Sequence, residues 1–110
     1  MSAQPAPAEG AASDRGEQFF DSKDGSRLFM RWLKPANPKA AVLVVHGYAD
    51  HSGRYLHVLQ AFADAGYAAF GVDYRGHGQA SGRRGYVAQF SEYLDDLQAA
   101  LDLVHAKLPG

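Results

Sequence analysis

The stretch from Ala40 to Asp73 decides the fold, and it reads AAVLVVHGYADHSGRYLHVLQAFADAGYAAFGVD. Its two ends, Ala40–His46 and Tyr67–Asp73, are apolar at nearly every residue and do not alternate. Such short continuous runs are typical of strands that are covered on both faces, as in a parallel sheet flanked by helices. Between them, Gly53–Ala65 has apolar residues at helical spacing, and Gly66 follows as a usual stop residue. The stretch therefore predicts a strand–helix–strand unit with a right-handed crossover.

Further elements are predicted on both sides of this unit. Glu17–Asp21 and Arg27–Leu33 are rich in bulky apolar residues, and the turn between them contains an Asp-Gly pair suited to a hairpin. Tyr74–Gln89 is a loop rich in Gly and Arg. A second helix follows, with its apolar residues on one face: Leu94, Leu97, Leu101, Val104 and Leu108. Its first turns carry acids, which the helix dipole favours: Glu92, Asp95 and Asp96. We therefore predict an α/β fold with a β-hairpin followed by βαβα, comprising four strands and two main helices.

Composition excludes several classes of protein. The chain has 110 residues, of which 46% are hydrophobic, and its formal net charge of −1 gives no general attraction to nucleic acid. The lack of cysteine excludes disulfides, cysteine-based zinc sites and thiol nucleophiles. No apolar run approaches the ~18 residues of a membrane span, and Met1–Gly16 lacks the regions of a signal peptide. We therefore expect a disordered tail over 1–16, a folded region over 17–110 and a cytoplasmic protein with no integral membrane segment.

The segment HGYAD, from His46 to Asp50, directly follows a predicted buried strand. The carboxyl ends of parallel strands are where α/β folds place their sites. Gly47 allows a sharp turn and a close approach of the main chain to a ligand. One interpretation is that the backbone amide of Tyr48 points at a developing oxyanion. The other is a strand-to-helix turn that needs only a glycine, and the local sequence by itself favours this second interpretation.

The loop Asp73–Gly85, DYRGHGQASGRRG, also has two interpretations. Its arginines suit a carboxylate, a phosphate or RNA, whereas in the favoured interpretation Arg75 and Asp73 satisfy groups within a rigid turn. Neither G-x-G-x-x-G nor a Walker A sequence occurs. The five histidines show no metal-binding spacing, and no serine lies in the G-x-S-x-G nucleophile turn. We therefore expect no metal, no cofactor and no catalytic triad residue within this chain.

Three blocks together resemble a known family. They are HGYADHSGRY (His46–Tyr55), GYAAFGVDYRGHGQASGRRGYV (Gly66–Val87) and FSEYLDDL (Phe90–Leu97). They are similar to the first part of the monoacylglycerol lipase group of α/β-hydrolases, which also carries the names lysophospholipase-like and serine aminopeptidase (S33-type). The resemblance covers roughly residues 17–110. It implies a doubly wound sheet, a cap over the site, and a Ser–Asp–His triad that cleaves carboxylic esters.

The resemblance also assigns roles to single positions. His46-Gly47-Tyr48 matches the oxyanion loop, in which the backbone N–H of Tyr48 is the donor and His46 and Gly47 shape the loop. The turn after the fourth strand matches at residues with an architectural role: Asp73, Arg75, Gly76, His77 and Gly78. In this family the nucleophile, the catalytic acid and the catalytic histidine all come after the position that Gly110 matches. The resemblance thus implies the N-terminal half of an α/β-hydrolase, truncated before the nucleophile elbow.

The implied function is that of the N-terminal portion of a serine hydrolase acting on monoacylglycerol- or lysophospholipid-type esters. The whole protein would bind a small-molecule ester or lipid, with transient membrane contact and no nucleic acid. We expect this chain alone to be inactive, and to aggregate or fold partly, because the edge of Ala41–Val45 would be free. One alternative is a non-catalytic α/β module that binds a partner or lipid through the Arg-rich loop and the strand edge. Another is a hydrolase of the same fold with aminopeptidase or epoxide hydrolase chemistry.

Overall fold

A computed structural model describes residues 14–46 and 51–108. The strands are β1 (Asp14–Asp21), β2 (Arg27–Lys34), β3 (Ala41–Val45) and β4 (Ala68–Asp73). The helices are α1 (Leu56–Asp64) and α2 (Phe90–Lys107), and a 3₁₀ turn over Ser52–Tyr55 leads into α1. These elements follow the predicted order of a hairpin and then βαβα.

The described strands form one sheet in the order β1-β2-β4-β3. The hairpin strands β1 and β2 are antiparallel, β2 is antiparallel to β4, and β3 is parallel to β4. Phe70 of β4 lies opposite Trp32 on one side and Leu43 on the other. The crossover through α1 explains the parallel pair, since two parallel neighbours cannot be joined by a tight turn. The predicted α/β class is confirmed.

The sheet packs against one helix on each face. The α1 side buries the apolar cluster Leu33, Leu59, Ala63 and Ala69. The α2 side buries Met30, Ala68, Phe70, Val72, Ala100 and Val104. All six residues of β4 are buried, as expected for a strand that is apolar throughout. In β3, by contrast, Val45 is 50% exposed, because β3 forms one edge of the described sheet.

The first strand begins earlier than predicted. The expected tail ended at Gly16, but β1 starts at Asp14 and pairs with β2 along its whole length. Gly16 lies opposite Trp32, and a Cβ at residue 16 would approach the indole ring to 2.6 Å. Gly16, one of the small residues that indicated a tail by composition, therefore makes room for a tryptophan. The first 13 residues lie outside the described part.

The first helix ends where the sequence predicts. Gly66 adopts a φ of +98°, and its N–H donates to the carbonyl oxygen of Ala63. The N–H of Tyr67 donates to Phe62, which closes the last turn. Gly66 thus stops α1 by adopting a left-handed conformation that few other residues tolerate.

The second helix covers its predicted apolar face only in part. Of that face, Val104 is buried and Leu108 packs against the same core cluster. Leu94, Leu97 and Leu101 are 53%, 36% and 38% exposed. Asp96 and Ala100 are also buried toward the sheet, and Asp96 there forms an ion pair with Arg75 of the loop after β4.

We call the exposed apolar residues on this side of the molecule the open face; they are Val45, Phe90, Leu94, Leu97 and Leu101. Contiguous apolar surface beside a free strand edge favours association. We expect the isolated chain to associate as its concentration rises, and the double change Leu94→Gln/Leu97→Gln to reduce this. Sedimentation velocity across a concentration series measures it. Leu56→Gln, at a half-exposed position on α1, is the control and should change little. A wild-type chain that stays monomeric throughout would contradict the prediction.

Candidate functional site

The candidate site lies at the carboxyl ends of β3 and β4. His46 follows β3, Asp73 ends β4, and Tyr74 and His77 follow β4. The sheet brings these residues together because β3 and β4 are parallel neighbours. Residues 47–50, which include Gly47 and the expected oxyanion donor Tyr48, lie outside the described residues. The residues that flank this segment, His46 and His51, are described.

His46 is held by both its ring and its main chain. The side chain is buried and stacks on Tyr74, with ring centroids 4.3 Å apart and an interplanar angle of 9°. The Tyr74 hydroxyl donates to the carbonyl oxygen of His46 over 3.3 Å. Tyr93 of α2 packs edge-on against Tyr74 at 4.9 Å. The residue that leads into the predicted oxyanion loop is therefore anchored to β4 and, through Tyr74, to α2.

His77 extends this aromatic cluster. Its ring lies 4.5 Å from Tyr74 and 5.2 Å from His46, between centroids. Its Nδ1 lies 3.0 Å from the carbonyl oxygen of Arg75. A carbonyl only accepts, so a hydrogen bond here requires the proton on Nδ1. His77 thereby stabilises the turn after β4.

Asp73 is completely buried, and its carboxylate binds backbone groups. Oδ1 accepts the N–H of Ser52 at 2.6 Å, and Oδ2 accepts the N–H of Gln79 at 3.0 Å. Gly78, at a φ of +50°, contacts the carboxylate so closely that a Cβ would overlap it. Asp73 thus organises the two turns around it, in agreement with the architectural role that the resemblance implies.

Arg75 joins three parts of the chain. Its Nε and Nη2 donate to the carboxylate of Asp96, which is 1% exposed, at 3.0 Å and 2.8 Å. Its Nη1 donates to Asp24 in the hairpin turn at 2.7 Å and lies 3.4 Å from Glu92. The hydrogen bonds to the Asp96 carboxylate raise the pKa of the guanidinium above its ordinary value. Arg75 is thus used structurally, as the favoured interpretation predicts, but its side-chain partners lie in α2 and in the hairpin turn and not within its own turn.

A second arginine of this loop is also used internally. Arg84 donates to the carbonyl oxygens of Gly78, Ala80 and Gly82. The guanidinium of Arg83 lies 5.1 Å from the ring centroid of Tyr86. Arg75 and Arg84, two of the three arginines of this loop, thus already form hydrogen bonds within the protein. This argues against the alternative in which the loop binds an anion, RNA or a partner.

The hydrogen bonds from Arg75, and next those from Ser26, lower the pKa of Asp24 below its ordinary 3.8. A lowered pKa in the folded state means that the ionised carboxylate stabilises the fold at neutral pH. This stabilising contribution is complete when the pH lies above the pKa of Asp24 in the unfolded chain. It is lost as the pH falls toward the lower pKa of Asp24 in the folded protein. We expect the stability difference between wild type and Asp24→Asn to stay constant above pH ~5 and to shrink below ~4. Urea unfolding at several pH values checks this, and Lys23→Gln in the same turn is the control. A difference independent of pH down to 2 would contradict it.

A groove of about 220 Å³ opens beside the His46–Tyr74 pair. Its lining includes Val45, Val72, Tyr74, Phe90, Leu94 and Leu97. The lining is almost wholly apolar, so the groove suits hydrocarbon and not an anion. Within residues 14–46 and 51–108, no three His, Asp or Glu side chains are grouped as a metal site would need. Neither described helix is both long and apolar enough to cross a bilayer.

Comparison with protein families shows which family this chain is related to. Residues 36–110 match the Hydrolase_4 family, described as serine aminopeptidase, S33. The chain belongs to this family. Monoacylglycerol lipase of Mycolicibacterium smegmatis is 35% identical over 102 residues, a match that covers 89% of the chain and 36% of that protein. Human monoglyceride lipase is 36% identical over 88 residues, covering 79% of the chain and 29% of that protein. The chain thus spans about a third of the length of these relatives.

Solved structures agree on the fold of this S33-family chain. An esterase of Pyrococcus furiosus superposes with a TM-score of 0.70 at 19% identity, over 99% of the chain and 42% of that structure. The α/β-hydrolase GrgF of a Penicillium species gives a TM-score of 0.71 at 18% identity, over 86% and 33%. The predicted resemblance to the N-terminal part of a monoacylglycerol lipase-like α/β-hydrolase is confirmed.

Proposed function

We propose that this S33-family chain supplies one half of the oxyanion hole of a serine hydrolase that cleaves monoacylglycerol- or lysophospholipid-type esters. The observation that carries the proposal is the anchoring on both sides of the segment after β3. His46 is stacked and buried before it, and the N–H of Ser52 is bound to a buried carboxylate after it. The lipase names of the relatives support the ester class of substrate.

The chemistry requires a donor where charge develops. When a serine attacks an ester carbonyl, the oxygen becomes an anion in the tetrahedral intermediate, and preorganised N–H groups stabilise it. The backbone N–H of Tyr48 is the proposed donor, with His46 and Gly47 shaping its loop. None of the serines in these 110 residues lies in G-x-S-x-G, and the resemblance implies that the Asp and His of the triad and the second donor come later in the chain. Hydrolysis by such a triad needs no cofactor.

The chain by itself is therefore proposed to be inactive. An oxyanion donor stabilises only charge that a nucleophile has created, so it has nothing to act on here. Turnover of a short-chain nitrophenyl ester is the sensitive assay, and the expected rate is that of buffer. Activity that co-purifies with the chain and is abolished by a serine-directed phosphonate would contradict this. A cytoplasmic protein that meets its lipid substrate by transient membrane contact fits the proposed function.

A chimera tests the oxyanion donor directly. Residues 14–108 replace the matching region of the M. smegmatis lipase, whose remainder supplies the triad and the pocket. Tyr48→Pro removes the backbone N–H, whereas Tyr48→Phe keeps it and most of the ring. We expect the proline variant to lose about 10²–10³ in kcat and the phenylalanine variant to keep it. Equal activity of the two variants, with equal melting temperatures, would contradict the role of Tyr48.

Aminopeptidase chemistry is the second candidate, because the family description carries that name. Both reactions pass through a tetrahedral oxyanion, so the same donor serves an ester or an amide. Assays of the active chimera on a monoacylglycerol and on an amino-acid anilide compare the two. Preference for the ester in the chimera, matching the parent lipase, supports the first candidate. A switch toward the anilide would show that the grafted residues direct the chemistry to peptides.

A further inference from the structure

We propose that Asp73 is a positioning residue that fixes the two flanks of the predicted oxyanion loop relative to each other. The proposal deepens the proposed function and rests on it, because positioning matters only if the loop carries the donor. It concerns the leading flank, which is His46, and the trailing flank, which is represented by Ser52, the residue after His51; all three are described. Asp73 contacts both from the end of β4, whereas nothing in the sequence motif assigns it this task.

The trailing flank is bound by the carboxylate itself. The N–H of Ser52 donates to Oδ1 of Asp73 at 2.6 Å, a short bond of the kind that a charged acceptor makes. Ser52 is 2% exposed, so water cannot replace this bond. The Ser52 hydroxyl accepts a second bond, from Nε of Arg31 at 2.9 Å. The residue that ends the loop is thus fixed from β4 and from β2.

The leading flank approaches the same oxygen. Nε2 of His46 lies 3.8 Å from Oδ1 of Asp73, and both side chains are fully buried. This separation is longer than a hydrogen bond, so the contact is electrostatic and steric in nature. Tyr74, the next residue after Asp73, stacks on the His46 ring. One carboxylate oxygen therefore lies between the two residues that bracket the loop.

The carboxylate itself is fixed in place. Oδ2 is occupied by the N–H of Gln79, and the main chain of Gly78 packs against it. Asp73 lies on a strand that is buried throughout and pairs with Phe29 of β2. Rotation of the side chain would break at least one buried hydrogen bond. Such rigidity is what a catalytic donor needs, since displacement by about 1 Å can cost about 10²-fold in rate.

Asp96 provides a matched comparison. It is also a buried carboxylate, at 1% exposed, but it binds a guanidinium and the backbone of Arg75 away from the loop. A purely structural role for Asp73 predicts that Asp73→Asn and Asp96→Asn behave alike once their stabilities are matched. A positioning role predicts a local effect at the loop flanks for Asp73→Asn alone.

Amide hydrogen exchange of the full chain, followed by NMR, separates these cases. In the wild type, the Ser52 amide should exchange as slowly as the amides of β4. Asp73→Asn leaves one acceptor oxygen for two N–H groups, so exchange at Ser52 should rise at least tenfold relative to β4. Asp96→Asn, which keeps the Asp73 carboxylate and both anchors of Ser52, should leave that ratio unchanged. Fast exchange at Ser52 in the wild type would overturn the proposal whether or not any variant folds.

Kinetics in the chimera distinguish this proposal from the proposed function. If both hold, Asp73→Asn lowers kcat with little change in KM, and Asp96→Asn does not once stability is matched. If exchange at Ser52 rises while kcat is unchanged, the flanks are fixed by Asp73 but the loop is not the oxyanion donor. Equal effects of the two asparagine variants on exchange at Ser52 would overturn the positioning role.

Discussion

Replacing Arg75 with methionine is expected to lower the free energy of unfolding by about 3–5 kcal/mol. The guanidinium donates to Asp96 and Asp24 and lies beside Glu92, and the Asp96 carboxylate is buried. Methionine fills part of the same volume but leaves that carboxylate without a counter-charge. A buried charge without its partner costs far more than an exposed pair contributes. Urea unfolding followed by circular dichroism measures the loss.

A double-mutant cycle identifies the source of this loss. Asp96→Leu alone should also be strongly destabilising, because it leaves the Arg75 guanidinium without its principal partner. The double variant Arg75→Met/Asp96→Leu should be more stable than the sum of the single losses predicts, since no buried charge is left uncompensated and Asp24 and Glu92 are partly exposed to water. Arg83→Met is the control, because its guanidinium lies over the Tyr86 ring outside this network. Additive losses in the cycle would contradict the explanation.

Phe70→Ala is expected to cost about 3–5 kcal/mol, the range for truncating a buried phenylalanine. Phe70 is 0% exposed, lies in the middle of β4 and belongs to the cluster that packs under α2. Its loss leaves a cavity that the paired strands on both sides cannot close. Since small domains are stable by only about 5–15 kcal/mol, the variant is expected to be partly unfolded at room temperature.

Phe90→Ala is the matched control, because the same truncation is made at a side chain that is 70% exposed. Its effect on stability should be within about 0.5 kcal/mol, the usual range for surface changes. It should also reduce self-association, because Phe90 belongs to the open face. Similar losses for the two phenylalanine variants would mean that the isolated chain does not form the sheet described here.

The loop after β4 links these results to the proposed function. Asp73 at its start binds the flanks of the predicted oxyanion loop, and Arg75, two residues later, ties α2 and the hairpin turn to the same point. Tyr74, between them, stacks on His46. Three consecutive residues thus connect the sheet, α2 and the candidate site. Substitutions at these positions should affect stability and loop geometry together, which is why the matched controls are needed.

The strands and helices could be predicted where their formation depends on residues close together in the sequence. Tyr67–Asp73 was recognisable because a strand covered on both faces must be apolar at each residue. Ala40–His46 has the same pattern, although β3 lies at the edge of the described sheet and none of its residues is buried. The end of α1 at Gly66 was predictable because a left-handed residue ends the helix. The first three residues of β1 were missed because Gly16 is a poor strand former on its own. Its strand conformation depends on Trp32, which lies in another strand.

The candidate site was predictable only in part. The motif at His46–Asp50 placed it at the end of a strand, and the described flanks lie there. The stacking of His46 on Tyr74 joins residues 28 positions apart, and the bond from Ser52 to Asp73 joins residues 21 apart. The burial of Asp96 could have been predicted from its spacing, because it lies four residues before Ala100 and eight before Val104, on the buried face. The preference of the helix dipole for acids near its start had already explained this residue.

The amino-acid sequence by itself determined the order of strands and helices and the hydrolase family, because these depend on local periodicity and on contiguous residue patterns, and it predicts an oxyanion donor in the segment after β3. Only the tertiary structure decided which face of α2 is buried, which oxygen of Asp73 binds Ser52 and which acids surround Arg75. Those outcomes depend on side chains far apart in the chain, where one buried charge must meet its partner. Asp96 meets Arg75 on the buried side of α2, a pairing between residues 21 positions apart that periodicity within the helix does not reveal.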